Sequence, residues 1–71
     1  MKLPLVIEKA EEGGWVGQFE EFPAVIEQGK SIDELKANML VALDFYLDTQ
    51  KWLFEQQLGE RQVIREIVEV A

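Results

Sequence analysis

Seventy-one residues with 14 acidic and 7 basic side chains, no histidine and no cysteine allow one domain, residues 1–71. They leave no means of making disulfides, thiolate or imidazole metal sites, or the Ser-His-Asp and Cys-His forms of nucleophilic catalysis. A net charge of −7 argues against an independent nucleic-acid binder, which gains affinity by neutralising phosphates with Lys and Arg.

Residues 3–9 predict a strand with Leu3, Leu5 and Ile7 on one face and Pro4, Val6 and Glu8 on the other. Glu11-Glu12-Gly13-Gly14 predicts a tight turn, because paired glycines supply the positive φ that short hairpins need. Residues 15–20 alternate again, with Trp15, Gly17 and Phe19 opposed to Val16, Gln18 and Glu20. Gly17 inside a strand marks a bulge or the close approach of another backbone. Glu21-Phe22-Pro23 bends the chain, and residues 24–28 offer a third short strand that Gln28-Gly29-Lys30 ends.

Ser31-Ile32-Asp33-Glu34 has the form of a capping box, in which the Ser31 hydroxyl accepts from the Glu34 amide and the Glu34 carboxylate reaches back to the Ser31 amide. A helix is expected from Ile32 to about Gln57, with Gly59 suited to the position after its end. Ile32, Leu35, Met39, Ala42, Leu43 and Tyr46 fall at helical spacing and form the stripe that faces the core. Two apolar flanks lie beside it: Val41, Phe45 and Trp52 on one side, Leu40, Leu47 and Phe54 on the other. Such a helix measures ~39 Å against ~23 Å for a seven-residue strand, so it overhangs the sheet unless it breaks near residues 49–51. Residues 62–70 alternate as a last strand, Val63, Arg65, Ile67 and Glu69 against Ile64, Glu66, Val68 and Val70.

The resulting expectation is an α+β domain of order β-β-β-α-β. A right-handed crossover places the fourth strand beside and parallel to the first, giving sheet order 3-2-1-4 with the helix on one face. The composition, 48% hydrophobic and 30% charged, is too apolar for an acidic disordered tail. No apolar run approaches the ~18 residues of a membrane span, and Met1-Lys2 is not followed by a signal-peptide h-region. The chain is therefore expected in the cytoplasm.

Gly13-Gly14-Trp15-Val16, Phe19-Glu20-Glu21-Phe22-Pro23-Ala24, Gln28-Gly29-Lys30-Ser31-Ile32-Asp33-Glu34-Leu35 and Ala42-Leu43-Asp44-Phe45-Tyr46-Leu47 follow one another in a consistent order. This series resembles the HicB family of type II antitoxins over residues 3–47; it departs from the family's usual residues at Glu20, Ala24, Val25 and Leu35. The resemblance implies a partial RNase H-like fold and a partner that is a small basic HicA-like mRNA interferase. Full-length family members usually add a DNA-binding domain. None is visible in this sequence, so operator binding is not expected.

A nuclease reading of that fold needs several converging carboxylates, for which Glu8, Glu34 and Glu66 are the only candidates. Glu34 already has a capping role, so the chain is expected to be non-catalytic, with no cofactor. Glu11, Glu12, Trp15, Glu20 and Glu21 at or beside the hairpin are the candidate toxin-contact residues, where negative charge and an aromatic anchor coincide. Val41, Phe45, Trp52 and Phe54 are the candidate interface of a homo-oligomer, dimer or tetramer, because one small sheet cannot cover the apolar surface of the helix. The alternative to toxin masking is an orphan homo-oligomeric structural or regulatory module without a toxin.

Overall fold

The computed structural model describes residues 2–70. Three strands, β1 (Leu5–Lys9), β2 (Trp15–Phe19) and β3 (Ile26–Gly29), precede one helix, α1 (Ile32–Leu58). Both strand pairs are antiparallel and the sheet order is β1-β2-β3, with Ile7 opposite Gly17 and Gly17 opposite Glu27. The architecture is α+β: a three-stranded meander with one long helix packed against it.

Alternation sorts the strands as expected. Leu5, Ile7, Trp15 and Phe19 turn to the helix and pack on or within the core, while Val6, Glu8, Val16, Gln18 and Ile26 line the opposite face. The β1–β2 turn closes through Gly13 N–H to Ala10 O (3.2 Å) and Ala10 N–H to Gly14 O (3.0 Å). Gly13 and Gly14 have φ of 98° and 76° there, a region that side-chain-bearing residues rarely adopt. The third strand begins later than the pattern predicts, at Ile26 instead of Ala24. The reason is that Val25 N–H donates to Phe22 O at 2.9 Å, so the chain is still turning at Ala24.

The helix begins as its cap dictates. Ser31 Oγ accepts from Glu34 N–H at 3.1 Å. The reciprocal half differs from the expected box: the Glu34 carboxylate accepts from Lys30 N–H at 3.3 Å, one residue earlier than Ser31. Leu35 and Met39 are completely buried and Leu43 nearly so; with Phe19 and Val25 they make the core. Phe22 and Tyr46 close its edge, ring against ring at 5.9 Å, edge to face. Ile32 shares the spacing of this stripe but is exposed, because it is the first residue of the helix, at the end of the stripe.

No break occurs near residues 49–51. The 27 residues of α1 extend about 40 Å, and Gly59 ends the helix with its N–H on Glu55 O at 3.2 Å. Residues 62–70 form no strand, so the fourth strand and the 3-2-1-4 order are not found among the described residues. The helix delivers the chain far beyond the sheet. Beyond it, Arg65 Nη2 donates to both carboxylate oxygens of Glu55 (2.9 and 3.0 Å), so the segment after the helix lies beside the overhang. The molecule is correspondingly long, with principal extents of 51 × 28 × 16 Å and a radius of gyration of 16.2 Å, against ~11 Å for a compact chain of this length.

Candidate functional site

The five hairpin residues do not gather at one point. Glu11 and Glu12 sit exposed in the β1–β2 turn, whereas Glu20 and Glu21 follow the other end of β2. A five-residue strand separates the two pairs by ~17 Å. Trp15 shares the helix-facing side of β2 with Phe19 and is half-buried against the core. Its ring therefore supports the sheet, and the glutamates are the groups presented to solvent. Among the described residues the one ion pair is Glu55–Arg65, at the far end of the molecule.

Between the two acidic ends lies the sheet face that the helix does not cover. Val6, Val16 and Ile26 form its apolar middle around a shallow hollow of about 150 Å³, with Glu8 and Gln18 beside them. Val6 and Ile26 are both substantially exposed. Gln18 is held by its Nε2 donating to Pro23 O at 2.7 Å, which fixes the loop carrying Glu20 and Glu21 relative to the strand. The arrangement is an apolar centre with an acidic rim, the usual anatomy of a protein-binding patch.

The second open surface belongs to α1. Val41 and Phe45 are each 73% exposed and Trp52 is 60% exposed; at 3.6 residues per turn these three lie within about 40° of one another. Phe54 stands about 200° around the helix from Trp52, on the flank of Leu40 and Leu47, which are also exposed. The four candidate interface residues thus occupy two faces. Val41 and Phe45 border an open groove of about 590 Å³ between α1 and β3, floored by Val25, Ala42 and Tyr46. Asn38 edges this groove and its Nδ2 donates to Gln28 O at 2.8 Å, tying helix to strand. Sequence reading missed the groove, although an edge strand leading directly into an over-apolar helix was the available signal.

Glu8, Glu34 and Glu66 do not converge. Glu8 lies on the uncovered sheet face, Glu34 accepts from the Lys30 amide, and Glu66 is in the exposed segment beyond the helix. Among the described residues no three acidic side chains gather as a metal site would require, and no helix is long and apolar enough to cross a membrane.

A UPF0150 protein of Archaeoglobus fulgidus is 39% identical to this chain over 51 residues, which make up 72% of the chain and 74% of that relative. No family model matches the chain, and no solved structure matches it.

Proposed function

The chain belongs to the UPF0150 family, which is the HicB-like family, and from that membership we propose that it is a non-catalytic, antitoxin-like protein that binds and masks a small basic HicA-like mRNA interferase. The observation that carries this reading is the uncovered sheet face with carboxylates at both ends. Glu11 and Glu12 at one end and Glu20 and Glu21 at the other are exposed and, among the described residues, in no ion pair. A partner patch of about 800 Å² is about 30 Å across, wide enough to span both pairs while Val6 and Ile26 fill its centre. Each carboxylate–cation contact at ~4 Å contributes from ~1 kcal/mol in water to ~4 kcal/mol in a partly desolvated interface. Blocking a cationic RNA-binding surface in this way stops cleavage without any chemistry by the masking protein.

The test is capture of partners on the tagged protein from its own cells at low salt, followed by elution with salt. A retained basic chain of similar size that cleaves RNA once freed, and is silenced when this protein is added back, supports masking. No retained chain at low salt, or one whose RNA cleavage is indifferent to this protein, refutes it. The orphan-module reading is favoured by one separate observation, the long exposed face of α1; self-association through that face is itself compatible with masking.

A further inference from the structure

The surface of the chain is too large for its mass. It measures 6427 Å², whereas a compact monomer of 8.2 kDa exposes about 4500 Å², so the excess is about 1900 Å². Part of it comes from residues 62–70, where Val63 is half-covered but Ile64 is 87% and Ile67 96% exposed, and Val68 and Val70 are similar. Strand alternation puts Ile64, Val68 and Val70 on one side of this segment.

A receiving surface exists on the sheet. Phe19 N–H donates to Val25 O, so antiparallel alternation turns the peptide groups of Ile26 and Gln28 to the free edge of β3. Asn38 takes the Gln28 carbonyl; among the described residues the Ile26 N–H and C=O and the Gln28 N–H are left for an added strand. The 590 Å³ groove beside that edge is lined by Val25, Val41, Ala42, Phe45 and Tyr46, where side chains from one face of such a strand would fall. An open strand edge next to an apolar groove is the geometry of β-augmentation.

We propose that residues 62–70 of one copy add as a strand to the β3 edge of a second copy and seat Ile64, Val68 and Val70 in its groove, the exchange being reciprocal in a homodimer. The chain's own segment is a poor occupant of its own β3 edge. It follows the far end of α1, about 40 Å from the end that adjoins β3, and Arg65 within it contacts Glu55 on that overhang. Area is available for it: covering half of the excess on each copy would bury about 1900 Å² in total, the size of a stable interface.

This assembly is independent of toxin masking, and salt separates the two. Each copy carries −7, so like-charge repulsion opposes the homodimer and added salt strengthens it, whereas a basic partner is released by salt. Sedimentation equilibrium of the full chain over a range of ionic strength is the measurement. The wild type is expected at twice the 8.2 kDa chain mass. The double variant Ile64→Glu with Val68→Glu, and separately Val41→Glu, are expected at the single mass with helical circular dichroism retained, since all three side chains are exposed in the isolated chain. A wild type that stays monomeric at every concentration overturns the proposal. So does a dimer that survives Ile64→Glu with Val68→Glu, including one lost only on Trp52→Glu, which would mean face-to-face helix packing.

Discussion

Replacing Gly29 with alanine probes how closely α1 is seated on the sheet. A Cβ at Gly29 would lie 2.5 Å from the backbone nitrogen of Leu35 and 2.7 Å from its Cα, whereas ordinary contact is 3.4–4 Å. Neither atom can move without the first turn of the helix, so α1 must lift by about 1 Å, and a gap of that size forfeits up to half of the dispersion well at each contact it opens. Leu35 and Met39, the two completely buried side chains, lose packing together. Overpacking of this kind costs ~1–3 kcal/mol, out of the ~3–5 kcal/mol a core this small provides. Gly17→Ala is the control, because its Cβ would meet only side-chain carbons of Leu35 at 3.1–3.3 Å, which need give by only a few tenths of an ångström. Its cost is offset by the ~0.4–1 kcal/mol that alanine gains through a less free unfolded chain. Urea unfolding at one fixed protein concentration, followed by tryptophan fluorescence and far-ultraviolet dichroism, reads the difference. With a slope of ~1 kcal/mol per molar urea, Gly29→Ala is expected to lower the midpoint by about 1–3 M and Gly17→Ala by well under 1 M. Equal midpoints would refute the close seating of the helix on β3.

Ser31→Ala removes the hydroxyl that accepts from the Glu34 amide and is expected to cost ~0.5–2 kcal/mol, seen as a lower thermal midpoint that Ser31→Asp restores. Glu55→Gln breaks the Arg65 ion pair, whose side chains are 45% and 62% exposed; such pairs contribute ~0–1 kcal/mol, so the urea midpoint is expected to be nearly unchanged, and a large drop would mean that the C-terminal segment contributes to the core. Charge reversal at each end of the hairpin, Glu11→Lys with Glu12→Lys against Glu20→Lys with Glu21→Lys, is expected to weaken capture of a basic partner from either end. Loss from one end only would narrow the contact to that end, and no loss from either would remove the sheet face from it.

The strands, their two faces, the helix start and the core stripe were legible in the sequence because each is set by neighbours within a few residues. Leu5, Ile7, Trp15 and Phe19 face the helix as alternation requires, and Leu35, Met39 and Leu43 are buried as helical spacing requires. The separation of Glu11 and Glu12 from Glu20 and Glu21 was also implicit, since an antiparallel strand puts the turns before and after it at opposite ends. Family resemblance rested on the same local series of residues.

What the sequence could not decide was where elements end up once a 27-residue helix intervenes. Residues 62–70 carry a strand's alternation, yet alternation specifies only a segment's faces, and a strand exists only when a neighbour supplies the other half of its hydrogen bonds. The unbroken run of α1 past the sheet carries the segment away from that neighbour. The groove between α1 and β3, with Asn38 fastened to the Gln28 carbonyl across it, depends likewise on how closely helix and strand approach. That spacing is a property of packing between distant residues, and only the tertiary structure could decide it.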